Sequence, residues 1–270
     1  MTDPSIDQLI EIAREAATVG TDILVREYEE IHIQGKTLDV SEKTSAIDLL
    51  TEVDGKTQEA VVAAIQKHFP DHRFIGDEDG AEDLGDPNSP YEWIIDPLDG
   101  TTNFIHGRES FGTIIAVQKD GEILAGAMHI PLLKQWFWGG KGAGAFYNGD
   151  PVKLRKTGAL KNAILNSNLI HRGKIIDGEI HVTLPRCRSV HNYGSALEEL
   201  GEILRGNTDG VFFDGIRLWD IAVGFLLIQE AGGKMEYIAQ EPDNPKGGYL
   251  CAASTADIFD ELWDWTQTKM

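Results

Sequence analysis

The amino-acid sequence predicts an α+β fold in which layers of helices alternate with mixed sheets. Three observations support this prediction: helical periodicity at both ends of the chain, a strand-rich middle, and a last third that alternates strands with helices. The 270 residues have an apolar share of 41%, which is sufficient for a packed core. We therefore expect one domain over residues 1–270, with two sub-halves at about 1–150 and about 151–270.

Two helices are predicted near the N-terminus. Ser5 can cap a helix whose apolar residues recur at helical spacing from Ile6 to about Tyr28. A second helix is expected from about Gly55 to His68, because Pro70 would end it. The segment KTSAIDLLTEVDG between them is predicted to be a polar link.

Strands dominate the middle of the chain. YEWIID is typical of a buried strand, and FGTIIAVQKDGEILAGAMHI predicts a hairpin around Asp120-Gly121. QWFWGGKGAGAFYNGDPVKL predicts a second hairpin, with Asn148-Gly149 near its turn. Its GGKGAG stretch lacks the Lys-Ser/Thr ending of a phosphate loop, so we assign these glycines to turns and close packing.

Strands and helices alternate in the last third. CRSVHNYG, DGVFFDG, KMEYIA and YLCAAS have the character of short strands. SALEELGEILRG, WDIAVGFLLIQEAGG and TADIFDELWDWTQTK predict helices, the second of them closed by Gly232-Gly233.

The charge of the chain excludes some classes of partner. The formal net charge is −20, so the surface repels nucleic acids and anionic membranes. No apolar run approaches the ~20 residues that span a bilayer, and the N-terminal segment lacks the features of a signal peptide. Cys187 and Cys251 are not spaced as a metal or redox pair. We expect a cytoplasmic protein with buried free thiols.

The segment IIDPLDGTTNF, residues 94–104, has the strongest functional signal. An apolar strand leads directly to Asp96 and Asp99, with Pro97 fixing the backbone between them. Gly100 allows a tight turn, and the threonines that follow suit a helix N-terminus, whose N–H groups bind anions. Turned in this way, the two carboxylates can converge on one cation. Either aspartate alone would be better explained as a turn or cap residue.

Two further acidic segments support this interpretation. FIGDEDG, residues 74–80, is a short apolar strand that ends in acids. Asp220 opens the otherwise apolar helix WDIAVGFLLIQEAGG, where a lone acid would by itself be assigned as an N-cap.

Together, DPLDGTTNF and WDIAVGFLLIQEAGG resemble the two signatures of the inositol monophosphatase family, which belongs to the lithium-sensitive, metal-dependent phosphatases. The resemblance extends from the first helix to the last, through DLLTEVDG, FIGDEDG and the GSA segment. It implies a layered αβαβα sandwich, a homodimer, two or three Mg²⁺ ions that Mn²⁺ can replace, and a small phosphate monoester as substrate.

The resemblance also implies a role for each matched residue. Asp96 matches the carboxylate that bridges two metals, and Leu98 offers its carbonyl to the first of them. Asp54 and Thr101 match the pair that orients the attacking water. The implied metal ligands are Asp77, Asp96, Leu98, Asp99 and Asp220. The implied substrate-binding positions are Asp99, Gly100, Thr101, Thr102, Gly194, Ser195, Ala196 and Asp220, and Lys43 falls in a mobile basic loop or on a solvated surface.

The chemistry explains why these residue types are needed. Uncatalysed hydrolysis of phosphate monoesters is so slow that enzymes accelerate it by up to about 10²¹-fold. Mg²⁺ prefers hard oxygen ligands, and two ions about 3.5–4 Å apart can stabilise both the attacking and the leaving oxygen. The matched set contains no Ser, Cys or His nucleophile, which favours direct attack by water.

Two departures from the family pattern bear on specificity. Asp77 stands where the family usually has glutamate, and its neighbour Glu78 would face the other way in a strand. Phe213 stands seven residues before Asp220, where inositol-specific members carry an acid that meets a substrate hydroxyl. We expect the Phe213 ring to offer an apolar contact instead, and Asp214 is a weaker candidate for the missing acid.

The substrate therefore stays open at this stage. Inositol 1-phosphate or a related polyol or sugar phosphate is the first hypothesis. Fructose 1,6-bisphosphate, a 3′-phosphorylated adenosine nucleotide and histidinol phosphate are alternatives on the same scaffold. A non-catalytic regulatory binding protein is a remote one, because a scaffold has no need of the full set of acids.

Overall fold

The computed structural model describes residues 3–35, 40–42, 49–78, 80–81, 84–168, 174–176, 179–181, 183–241, 244 and 246–269. Its helices are α1 Ile6–His32, α2 Glu52–Gln66, α3 Thr101–Ile105, α4 Ala196–Leu204, α5 Leu218–Glu230 and α6 Phe259–Lys269, with a short 3-10 helix at Leu160–Asn162. Lys43 lies outside the described residues. None of the helices in these ranges is both apolar and long enough to cross a lipid bilayer.

Most strands of the described ranges belong to two sheets. The first sheet has the order β3-β4-β5-β6-β7-β8-β9 and is antiparallel apart from the β3–β4 pair. Its strands are β3 Arg73–Gly76, β4 Tyr91–Asp99, β5 Gly112–Lys119, β6 Glu122–Ile130, β7 Gln135–Gly140, β8 Gly144–Tyr147 and β9 Asp150–Pro151.

The second sheet is mixed and has the order β13-β10-β14-β16-β15. Its strands are β10 Ile164–Ser167, β13 Ser189–His191, β14 Gly210–Ile216, β15 Lys234–Ala239 and β16 Tyr249–Ser254. β10 pairs in parallel with β13 and β14, and the other pairs are antiparallel. Two separate antiparallel pairs are formed by β1 Val40–Glu42 with β2 Leu49–Thr51, and by β11 Lys174–Ile176 with β12 Glu179–His181.

Alternation along the strands divides the core into layers. On β4, Ile95 packs against α1 and α2, whereas Ile94 packs against α4 and α5. On β14, Phe213 faces α4 and α5, whereas Phe212 packs against α6. The order of layers is therefore helices, sheet, helices, sheet, helix, as the resemblance implied.

The predicted elements agree with the observed ones except in detail. Ser5 caps α1 by accepting the N–H of Gln8 at 3.1 Å, but the helix continues to His32. The predicted second hairpin is instead three strands, because the chain turns at residues 141–143 as well as at 148–149. The predicted polar link contains β2, whose three residues are too short to give a periodic signal.

Candidate active site

The site begins where β4 loses its regular pairing. Asp96 lies opposite Ile114 of β5 and Asp99 lies opposite Gly112, so the register shifts between the two aspartates. Pro97 has no N–H to donate, which suits a bulge, and its carbonyl accepts from Thr113 at 3.0 Å. The Leu98 N–H donates to Asp96 Oδ1 at 3.1 Å. The bulge therefore fixes two acids at the buried end of an interior strand.

Gly100 turns the chain from β4 into α3. Its φ of 80° is left-handed, and a Cβ built there would lie 2.7 Å from the Ser110 carbonyl oxygen. Only glycine satisfies both conditions without a shift of the backbone. Thr101 Oγ1 donates to the Leu98 carbonyl at 3.0 Å, which holds the first turn of α3 against the bulge.

Asp99 is bound by the N-terminus of α4. The backbone N–H groups of Ala196 and Leu197 donate to its two oxygens at 3.0 and 3.1 Å, and the Ser195 hydroxyl donates to it as well. Ser195 also caps α4 by accepting the Glu198 N–H at 3.1 Å. Asp99 is thus held by three donors at a helix end that favours negative charge.

Asp220 lies in the first turn of α5. Its Oδ2 accepts the N–H of Arg217 at 2.9 Å, as in a capping box. The N-cap assignment that the sequence favoured for this residue alone is therefore wrong in position: Arg217 is the N-cap, and Asp220 is the third helical residue, whose carboxyl bonds back to it. The same carboxyl also faces β4.

These elements bring Asp96, Asp99 and Asp220 together. One carboxylate oxygen from each lies within 4.8 Å of the others. Burial raises the pKa of Asp99 to about 6 and that of Asp220 to about 7, and it raises the pKa of Asp96 well above its usual range, with further contributions from neighbouring carboxylates. Three hard oxygen donors this close repel one another unless a cation or a proton is shared, so the residues fit a divalent metal ion.

Asp77 follows β3 beside this cluster. Its charge raises the pKa of all three aspartates, yet it lies outside the group whose oxygens are within 4.8 Å. Gln58 of α2 braces the segment, because it donates to the Glu78 carbonyl at 2.9 Å and accepts the Glu78 N–H at 3.2 Å. The Asp77 side chain is one methylene shorter than the glutamate usual at this place, which is consistent with a carboxylate that lies near the three acids but outside their group.

Asp54 is buried in the first turn of α2, with 2% of its surface exposed. The preceding residue, Val53, belongs to the same core cluster as Leu98 and Phe104. This packing brings the start of α2 next to the β4 bulge and to α3, which carries Thr101.

The expected role of Phe213 is wrong in this structure. The ring is 1% exposed and packs in the core between the second sheet and the middle helices, so it presents no surface to a substrate. Asp214 accepts from Gln240 Nε2 at 2.5 Å, and its backbone pairs with the side chain of Asn168. The sequence could not give the direction of the ring, because a bulge interrupts β14 between Phe213 and Ile216.

Three residues near the site had no role in the sequence-based prediction. They are Gln58, Asn103 and Glu199, and each bonds the backbone of a segment that carries a predicted site residue. Asn103 is part of the 94–104 segment, so the sequence indicated the functional importance of its surroundings but not its own contact. Glu199 lies on the helix α4, where nothing in the sequence separates it from Glu198.

Residues 5–266 match the family model described as the inositol monophosphatase family. The chain belongs to the inositol monophosphatase family. Members of this family are metal-dependent phosphatases, so the chain is a phosphoric monoester hydrolase. The acid cluster is a group of carboxylates that could hold a metal ion.

Similar proteins carry several names. The chain is 33% identical to an inositol-1-monophosphatase of Caulobacter vibrioides, over 94% of this chain and 97% of the relative. It is 32% identical to a fructose-1,6-bisphosphatase/inositol-1-monophosphatase of Aquifex aeolicus, over 85% of each. It is 30% identical to the Nus factor SuhB of Pseudomonas aeruginosa, over 92% of each.

Solved structures have the same fold. The extragenic suppressor protein SuhB of Bartonella henselae superimposes with a TM-score of 0.79 at 26% identity, covering 96% of this chain and 98% of that one. An inositol monophosphatase of Thermotoga maritima gives a TM-score of 0.75 at 27% identity, covering 97% and 96%. The layered αβαβα sandwich is therefore the fold of the family.

Proposed function

We propose that this phosphatase hydrolyses a small polyol or sugar phosphate in a magnesium-dependent reaction, with inositol 1-phosphate as the first candidate substrate. The observation that carries the proposal is the convergence of Asp96, Asp99 and Asp220 from two separate signatures into one buried group. A buried group of three acids is unfavourable by itself, and a bound dication offsets that cost.

Each residue has a role in this proposal. Two or three Mg²⁺ ions, for which Mn²⁺ could substitute, would be held by Asp77, Asp96, Asp99, Asp220 and the Leu98 carbonyl. Asp54 and Thr101 would orient the attacking water. The substrate would meet Asp99, Gly100, Thr101, Thr102, Gly194, Ser195, Ala196 and Asp220.

The protein's own groups account for much of the proposed reaction. Bound magnesium would neutralise the phosphate dianion and favour ionisation of the attacking water. The backbone N–H groups that follow Gly100, at the start of α3, would donate to phosphate oxygens. The left-handed Gly100 and the Thr101 bond to Leu98 keep this turn in place before the substrate arrives.

The names of the relatives support the proposed class of substrate. The proposal selects one group of phosphate monoesters among those that the family hydrolyses. One relative is named for both fructose 1,6-bisphosphate and inositol 1-phosphate, which keeps the bisphosphate as the second candidate. The 3′-phosphoadenosine nucleotides and histidinol phosphate follow. A regulatory role is suggested by relatives named Nus factor SuhB, but the net charge of −20 disfavours direct binding to nucleic acid or membranes.

We also propose a cytoplasmic homodimer in which the whole chain acts as one domain with two sub-halves. The middle core supports a single unit, because Ile94 and Met128 of the first half pack there with Leu200 and Phe225 of the second.

The test is phosphate release from these substrates, measured with magnesium, with manganese and with a chelator. We expect activity only with the metal, and a kcat/KM for inositol 1-phosphate that exceeds that for the nucleotide and for histidinol phosphate. Lithium should inhibit at millimolar concentrations. Equal rates in the chelator would overturn the metal assignment, and insensitivity to lithium up to about 100 mM would contradict the family-type second metal site.

A further inference from the structure

A buried carboxyl and a buried amide hold the turn before α4 from opposite sides. Glu199 of α4 reaches back and accepts the backbone N–H of Tyr193 at 2.9 Å, and it also accepts that of Gly194. Asn103 of α3 donates through Nδ2 to the Tyr193 carbonyl at 2.9 Å. Both polar groups of the Tyr193 backbone are thus bound by side chains from elsewhere in the fold.

The two side chains are well placed to hold a fixed geometry. Glu199 is 2% exposed and Asn103 is 3% exposed, so water does not compete for their bonds. Asn103 Nδ2 also donates to the Ser110 carbonyl at 2.8 Å, which ties α3 to the segment that approaches Gly100. Gly194 adopts a left-handed φ of 70°, and a Cβ built on it would lie 3.4 Å from Asn103 Oδ1.

The held turn leads directly into the contacts of the site. Ser195, the next residue, donates to Asp99, and the two N–H groups that follow it also bind Asp99. In the proposed function, Gly194, Ser195 and Ala196 lie beside the substrate hydroxyls, while Gly100 and Thr101 bind the phosphate. Asn103 is on the same short helix as Thr101, so it connects the phosphate side of the site to the hydroxyl side.

We propose that Glu199 and Asn103 are positioning residues that fix the 193–195 turn relative to α3, and that they thereby determine discrimination between substrates that carry hydroxyl groups and those that do not. This inference rests on the proposed function. Neither residue belongs to the acid cluster or to the positions proposed to bind substrate. Hydrolysis of a phosphate that lacks hydroxyls depends on the acid cluster and the 100–102 turn, so it should be affected less than hydrolysis of a polyol phosphate.

The protonation of Glu199 supplies a conservative variant. Burial raises the pKa of this carboxyl to about 8, so it is largely a neutral acid at pH 7. Glutamine has nearly the same shape and keeps the acceptor oxygen, whereas leucine removes it. Glu198→Leu is the matched control, because Glu198 is a buried glutamate of the same helix whose carboxylate accepts from Ser110 at 3.3 Å rather than from the turn.

The first measurement is the ratio of kcat/KM for inositol 1-phosphate to that for phenyl phosphate. In Glu199→Leu we expect the ratio to fall about tenfold, mainly through KM for inositol 1-phosphate, because a buried hydrogen-bond partner is lost. Glu199→Gln and Glu198→Leu should stay within about twofold of the wild type. Asn103→Ala removes the contact on the other side of the turn and should lower the ratio in the same way. It is the alternative test if the Glu199→Leu chain does not fold.

The second measurement does not depend on activity. Amide hydrogen exchange at residues 193 and 194 should be at least about tenfold faster in Glu199→Leu than in the wild type or Glu199→Gln. An unchanged selectivity ratio in an active Glu199→Leu enzyme would overturn the positioning role. A wild type inactive on every monoester would overturn the proposed function instead. In that case, equal exchange at these amides in all variants would also refute the clamp, by which we mean the contacts of Glu199 and Asn103 with the 193–195 turn.

Discussion

The end of β4 and the middle of β14 both face the central helices, but they contribute different properties. At the end of β4 the buried residues are acids, and they converge with Asp220 into one group. At the middle of β14 the family's acid is replaced by Phe213, which is part of the core. In the proposed function the first region therefore determines the reaction, whereas the second contributes stability and leaves substrate choice to other residues.

The largest effect expected is on the reaction region. Asp96→Asn keeps the shape of the side chain but removes its charge, and we expect kcat to fall at least about a thousandfold, or ~4 kcal/mol. The metal-free variant should have a higher Tm than the metal-free wild type, because one of three repelling carboxyls is gone. Phosphate release and thermal unfolding in a chelator measure the two effects. More than about a tenth of wild-type kcat would contradict the assignment of Asp96.

Phe213→Glu tests the other side of the comparison. Because Phe213 is buried in the core, a glutamate there would destabilise the fold by about 3 kcal/mol or more, and selectivity for inositol 1-phosphate would not improve. Urea unfolding measures the loss, and Phe213→Leu is the control that keeps the site apolar. A stable Phe213→Glu enzyme that gains preference for inositol 1-phosphate would show that this position does face the substrate.

Gly100→Ala tests how closely the phosphate turn is packed. Gly100 and Gly121 both have a positive φ, of 80° and 85°, but only a Cβ at Gly100 meets a neighbour, the Ser110 carbonyl. We expect Gly121→Ala to cost only the backbone strain, about 1–2 kcal/mol. Gly100→Ala should cost more and should also lower kcat/KM at least about tenfold. Equal losses of stability with unchanged activity would mean that the close approach is unimportant.

The last prediction concerns the dependence of stability on pH. Burial, with smaller contributions from Asp99 and Glu198, raises the pKa of Glu199 to about 8, so the folded chain holds a proton that the unfolded chain releases above its ordinary pKa. Stability from this group is complete at low pH and falls as the pH rises from about 4.5 to about 8. Glu199→Gln should remove this part of the slope and be more stable than the wild type at pH 9. Parallel unfolding curves at pH 5 and 9 for the two proteins would refute it.

The sequence predicted the reaction region better than the substrate region, for physical reasons. Asp96 and Asp99 stand in one short segment with Pro97 and Gly100, so their local geometry follows from backbone preferences. The direction of Phe213 depends on the pleat and on a bulge, and a shift of one residue reverses it. The clamp of Asn103 on Tyr193 joins residues 90 positions apart, and no local pattern reports such a contact.

Asp99 has a consequence for how chains of this kind would drift once activity is no longer selected. Asp96 mainly adds repulsion to the metal-free fold, so its replacement by a neutral residue would be tolerated and even favoured. Asp99 also accepts from Ser195 and from two backbone amides at the start of α4, so its loss would leave this helix N-terminus without its partner. A descendant that had become a pure binding protein should therefore keep Asp99 long after Asp96 has changed, and that order of loss would be visible in its sequence.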